Sequence, residues 1–218
     1  MTPCCCEHYD CSALVSVATA DFGAPSPQAI LRSKIAQVDL GYLDAMVVLE
    51  TPRLALRRFV SEDLAALYAL YRDPEIRQYF PDGTRTLDET REELEWFRHG
   101  HPKYPELGLW ATVERSSGDF LGRCGLLPWQ IEDQHEVELA FLIDKSRWGE
   151  GLATEAATGI VGYARNVLHL QRLICLITPG NAASVRVAQK VDMSFEREFV
   201  DESGLCHIYS RSLGSGKL

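Results

Sequence analysis

The 218-residue sequence predicts an α+β fold, and three observations carry that expectation. Two strand-like runs, 108–114 and 120–127, flank Ser116-Ser117-Gly118-Asp119 and read as a hairpin with a polar turn. On both sides of that hairpin, short strand-like runs are interspersed with stretches that open on helix-capping residues. The run 136–143 feeds Trp148-Gly149-Glu150-Gly151-Leu152-Ala153-Thr154-Glu155-Ala156, a glycine turn that leads from a strand into a helix. Glycines let a backbone turn tightly and approach a ligand. A helix start adds unpaired N–H groups at its positive end, and the combination binds phosphate or pyrophosphate. The alternative is a plain strand-to-helix turn.

Composition sets the frame. Hydrophobic residues at 46% and charged residues at 24% describe a soluble globular chain with enough apolar material for a core. A net charge of −9 argues against a nucleic-acid partner and mildly favours cationic ones such as amines. Cys4, Cys5, Cys6 and Cys11 crowd the start, whereas Cys124, Cys175 and Cys206 lie singly in apolar runs. That scatter is no disulfide framework and points to a reducing, cytoplasmic setting. No apolar run approaches the ~20 residues that span a membrane, and no membrane partner is expected. The small-residue run 13–20 is short for a signal peptide and follows Glu7 and Asp10 rather than basic residues.

Residues 1–45 read as an extension in which adjacent cysteines lack zinc-site spacing, with a short helix over 28–38. It is an untidy tail, or the product of a start assigned too early, with Met46 standing just before the regular text. The domain is expected over 46–213, followed by a tail, 214–218. Residues 53–59 alternate as a first strand, and Ser61 caps a helix to about Tyr71 with Glu62 and Asp63 in its first turn. After Asp73-Pro74 a short helical turn covers 76–79, and Pro81-Asp82-Gly83 is a loop. Thr86-Leu87-Asp88-Glu89 is a capping box that opens a helix to about Arg98, with Leu94 and Phe97 inward. Beyond the hairpin, 136–143 loses its alternation after Glu138, as suits a strand buried in a sheet's centre. Helices over 154–166 and 181–191 and strands over 173–177, 195–199 and 205–212 complete the pattern.

In element order and in four local passages the chain resembles the GNAT N-acetyltransferase superfamily, in particular the branch of the ribosomal-protein N-terminal acetyltransferases RimJ and RimL. The passages are Leu49-Glu50-Thr51-Pro52-Arg53-Leu54 with Leu56-Arg57, the Trp148 to Ala156 stretch, Asn181-Ala182-Ala183-Ser184-Val185-Arg186, and Gly204-Leu205-Cys206-His207-Ile208-Tyr209-Ser210. The resemblance implies a three-layer acyl-CoA N-acyltransferase fold, a mixed, mostly antiparallel central sheet flanked by helices. Two departures stand out. Trp148 replaces the usual Arg or Gln at the loop start, and Asp192 stands where the family places a glycine after the second helix.

The reaction implied is direct acetyl transfer from acetyl-CoA, as cosubstrate and without a metal, to a primary amine on a protein N-terminus or a small molecule. An ammonium with a pKa of about 8 to 10 must first lose a proton, so a base is needed. By resemblance it is Glu138, while Glu136 alternates onto the same face. The oxyanion donor is a backbone N–H near Ala140 or Phe141, with Phe141, Leu142 and Ile143 along the cofactor. Trp148, Gly149, Glu150, Gly151, Leu152 and Ala153, with the Thr154 hydroxyl, hold the pyrophosphate, and Asn181 caps its helix and touches the pantetheine arm. Ala188 stands where many members carry an acidic tyrosine, which leaves Ser184 either as the acid or as a helix serine bonded backward to a carbonyl. Glu155 is a first-turn charge with a structural role. Tyr79-Phe80-Pro81 and Trp96 fall where this fold covers the acceptor. Glu132, Asp133 and Glu136 form either an acidic mouth or a solvated loop, and His99 and His135 are surface residues. A homodimer is the family-level expectation. The competing class is a non-catalytic acyl-CoA-binding regulatory module.

Overall fold

The computed structural model of the protein describes residues 47–201 and 203–214. The N-terminal cysteine cluster and the helix expected over 28–38 lie outside the described residues. Among the described residues eight strands form one sheet: β1 (Val47–Glu50), β2 (Leu54–Arg57), β3 (Gly108–Glu114), β4 (Phe120–Ile131), β5 (Gln134–Ile143), β6 (Arg172–Ile177), β7 (Ser194–Asp201) and β8 (Gly204–Ser212). The helices are α1 (Leu64–Tyr71), α2 (Pro74–Arg77), α3 (Leu87–His99), α4 (Leu152–Asn166) and α5 (Ala182–Lys190). The strand order is β1-β2-β3-β4-β5-β6-β8-β7, and every neighbouring pair is antiparallel except β5–β6. This is the expected mixed, mostly antiparallel sheet.

The sheet separates two cores. On one face α4 buries Leu152, Ala156, Ile160 and Ala164, at the four-residue spacing of a helix stripe, against Trp110, Cys124, Leu126, Leu139 and Leu173. On the other, α1 and α3 bury Leu67, Leu70, Leu94 and Phe97 against Leu109, Ala111 and Leu142. Each fully buried leucine, isoleucine or phenylalanine side chain among them is worth about 1.5–3 kcal/mol of transfer free energy. The α3 capping box is formed as expected, Thr86 Oγ1 accepting from Glu89 N–H and the Glu89 carboxylate from Thr86 N–H.

Three local expectations change. The first strand expected over 53–59 is the shorter β2, and a further strand, β1, precedes it, because Thr51-Pro52-Arg53 turns the chain between them and Thr51 N–H donates to Leu54 O at 2.8 Å. Ser61 does not cap α1; a 3-10 turn (Ser61–Asp63) precedes it, and buried Asp63 accepts from Val60 N–H and from both terminal nitrogens of Arg57 at 2.7 Å. Finally, β4 runs past Pro128 to Ile131. β3 starts at Gly108, opposite Leu126, so by Pro128 that side of β4 is an edge where a missing N–H costs nothing.

Candidate active site

The functional stretch begins where β5 ends. Asp144 accepts from Ser146 N–H at 2.8 Å and starts a 3-10 turn (Lys145–Arg147), after which the Trp148 indole N–H folds back onto the Ile143 carbonyl at 2.8 Å. Gly149 and Gly151 have φ of 85° and 79°, left-handed values that L side chains adopt with strain. The first helical bond of α4 is Glu155 N–H to Gly151 O at 3.0 Å, and no side chain among the described residues caps the helix. The N–H groups of Gly149, Glu150, Gly151, Leu152, Ala153 and Thr154 therefore have no partner among the described residues. Nor has the Thr154 hydroxyl. By contrast α2, α3 and α5 are closed by Asp73, Thr86 and Asn181. An uncapped helix start with successive free N–H groups is an anion cradle.

Beside it the sheet opens. β4 and β5 pair along their length, Gly122–Ile143 to Ile131–Gln134, whereas the pairing of β5 with β6 is confined to Glu138–Ile174. The Cys175 thiol donates to the Leu139 carbonyl at 3.1 Å, while Leu176 N–H, which a continued parallel ladder gives to that carbonyl, turns to the Glu138 carboxylate. Backbone direction alternates along β5. Leu139 O faces β6, whereas Asp144 N–H donates to Leu121 O on the β4 side at 2.8 Å. Hence Phe141 and Ile143 aim their backbone groups into the opening, and Ala140 and Leu142 aim theirs at β4. Of the two donors left open by the sequence, Phe141 is the one that faces the cleft. Leu142 and Ile143 bury their side chains, in the α1–α3 core and the α4 core respectively.

Glu138 and Glu136 share a strand face but not an environment. Both carboxylate oxygens of Glu136 accept from Arg172 Nε at 3.1 Å, and Arg172 also reaches Glu196. Glu138, half-buried, has no ion pair among the described residues and accepts from the Trp129 indole N–H at 2.7 Å. Burial pushes its pKa above the usual carboxylate range, opposed by the Trp129 bond, the Leu176 N–H and the charge of Arg123. Trp129, which the sequence does not single out, lies past Pro128, where the strand was expected to have ended, and stands opposite Glu136. Arg123, likewise not singled out, is 6% exposed on the same sheet face, lying on Tyr71, Phe80 and Phe97, with its Nε unpartnered among the described residues.

Asn181 Oδ1 accepts from Ser184 N–H at 3.1 Å. The half-buried Ser184 hydroxyl makes no backward bond to a carbonyl among the described residues. A cleft of about 320 Å³, lined by Thr178, Asn181, Val185, Arg186 and His207 among others, opens beside this helix start. On the helix-covered side Tyr79 ties the segment after α2 to the β6–α5 loop. Its hydroxyl donates to Gly180 O at 3.1 Å, and Thr178 Oγ1 donates to Tyr79 O at 2.8 Å. Glu132 pairs with Arg197, and His135 and His99 are exposed. Asp192 has φ 58°, the left-handed position where the resemblance expects glycine.

Likeness to known proteins defines the fold and the family. Residues 53–194 match the family model of the acetyltransferase (GNAT) domain. The chain is 35% identical to the protein YkkB of Bacillus subtilis (strain 168), over 71% of this chain and 90% of the relative. Among solved structures, an acetyltransferase (GNAT family) from Bacillus anthracis aligns with a TM-score of 0.65 at 21% identity, covering 77% of this chain and 98% of that one. A spermidine N-acetyltransferase from Vibrio cholerae in complex with CoA and spermine aligns with a TM-score of 0.61 at 16% identity, covering 74% and 96%. Fold and family together define an acyltransferase. The chain belongs to the GNAT acetyltransferase family.

Proposed function

We propose that the protein moves an acetyl group from acetyl-CoA to a primary amine by direct attack of the amine on the thioester, as a member of the RimJ/RimL-like branch and in the cytoplasm. The observation that carries this reading is the open N–H array from Gly149 to Thr154, set at the end of the strand that carries Glu138. The four passages shared with that branch support the narrower placement, and the net charge of −9 is suited to a cationic acceptor.

Acetyl-CoA supplies an acetyl group activated as a thioester. The six N–H groups and the Thr154 hydroxyl hold its pyrophosphate. The cleft-facing edge of β5 at Phe141 and Ile143 pairs with the amide-bearing arm, and Asn181 flanks it. A Glu138 carboxylate oxygen receives the ammonium proton, directly or through water. Its raised pKa brings it toward the working range of a base. Phe141 N–H faces the oxyanion as the C–N bond forms. When the C–S bond breaks, Ser184 gives a proton to the thiolate and is reprotonated by the proton that the adduct nitrogen loses, which leaves the amide and the free thiol.

The test combines binding and turnover. Saturating acetyl-CoA should raise the melting temperature, and a panel of N-terminal peptides, polyamines and aminoglycosides should show amine-dependent thiol release. No thermal shift would overturn the cradle. A shift with no thiol release from any amine would favour the non-catalytic binding module.

A further inference from the structure

The cradle poses a problem of its own: two left-handed glycines and six N–H groups without partners among the described residues form a loop that no described side chain caps. A carboxylate, Glu155, sits in the first turn of α4, where its charge would repel a bound anion. It is turned away. Glu155 Oε1 accepts from the Thr51 hydroxyl at 2.6 Å and from Arg53 N–H at 2.8 Å, and Oε2 accepts from Arg53 Nε at 2.6 Å. The same guanidinium donates through Nη1 to the Glu150 carbonyl, in the middle of the loop, at 3.1 Å. On the other flank Arg147 holds the Glu150 carboxylate at 2.9 and 3.0 Å and Glu114 at 2.8 Å. The contact surface is shaped for this: a Cβ on Gly159 would come within 2.8 Å of Thr51 Cγ2 and 3.1 Å of Leu49 Cδ1, so only glycine lets α4 lie this close to the β1–β2 turn.

We propose that Thr51, Arg53 and Glu155 are positioning residues for the cofactor. Together they form a clamp that neutralises the first-turn carboxylate and holds the Gly149–Gly151 loop in its anion-binding shape. The clamp rests on the acyl-CoA reading and explains the Thr51-Pro52-Arg53 passage, which otherwise stands about a hundred residues from the loop it serves.

The experiment compares two donors, acetyl-CoA and S-acetylpantetheine, which shares the thioester but lacks the pyrophosphate. In Glu155→Gln the KM for acetyl-CoA should rise about ten-fold, the weight of one charge-assisted hydrogen bond, with kcat within about two-fold and the KM for S-acetylpantetheine unchanged. Thr51→Val, a milder change should Glu155→Gln fold poorly, should move the same parameter in the same direction. In Arg53→Met/Glu155→Gln the second change should add little to the first, since the two act as a unit. Equal weakening of both donors, or of neither, would overturn the clamp. Failure of the wild type to bind acetyl-CoA would instead overturn the cradle reading itself.

Discussion

The two poles of the β5 cleft are built in opposite ways. Beyond the end of the strand, from Gly149 to Thr154, the proposed working groups are backbone N–H donors, chemically fixed, and the side chains around them hold the chain in place. In the middle of the strand the proposed working group is a side chain, Glu138, half-buried, whose pKa is set by burial, Trp129, Leu176 and Arg123. A backbone site resists changes of side chain but not of conformation, and a side-chain site does the reverse. Lesions at the first should therefore appear in donor binding, and lesions at the second in turnover and its pH dependence.

The largest effect is expected at the side-chain pole. Glu138→Gln keeps the shape but removes the proton acceptor, and kcat should fall by about 10²- to 10⁴-fold. The same variant carries a stability signature of the opposite sign. Because burial raises the Glu138 pKa, the unfolded chain releases that proton more readily than the folded one. Wild-type stability relative to the variant should thus decline as pH rises from the unfolded carboxylate range through the raised folded pKa. Melting curves of both proteins at acidic and neutral pH check this.

At the backbone pole, Gly151→Val forces a β-branched residue into φ 79°, a strain of about 1–2 kcal/mol, and should raise the donor KM roughly ten-fold with little effect on kcat once the enzyme is saturated. Trp129→Phe sharpens the comparison from the other side. Loss of the indole N–H removes a bond to the charged carboxylate, so the Glu138 pKa should rise further and the acid limb of the kcat profile should move to higher pH. The smallest effect is expected at the closed helix start: Asn181→Ala removes a cap worth about 1 kcal/mol and should lower the melting temperature modestly.

The same division explains what could be read from the sequence. The glycine turn was legible because its signal is local: two near-adjacent glycines before a helix permit a tight turn, found here with left-handed values at Gly149 and Gly151. The Thr86–Glu89 box was legible for the same reason, both of its bonds closing within one turn. The distinction between Glu136 and Glu138 was not, because it depends on Arg172, which lies 36 residues beyond Glu136 and reaches it only through the β5–β6 pairing. Asp63 rather than Ser61 precedes α1, without a side-chain cap bond, its carboxylate being held by Arg57 on the preceding strand. Trp129 was lost behind Pro128, since a proline inside a strand reads as its end unless the neighbouring strand is known to have stopped. Asp192 shows the limit of a residue-type rule, because the left-handed turn after α5 forms without glycine, with Arg211 Nη2 3.4 Å from the aspartate.

The central claim is that the cradle and Glu138 serve one reaction, with Glu138 taking the acceptor's proton. The measurement that bears on it most directly is the pH dependence of kcat with saturating acetyl-CoA and one accepted amine, in the wild type and in Glu138→Gln. The wild-type rate should rise with pH through the elevated Glu138 pKa to a plateau, and the variant should lose that inflection along with most of its rate. A variant that keeps the wild-type profile would contradict the assignment.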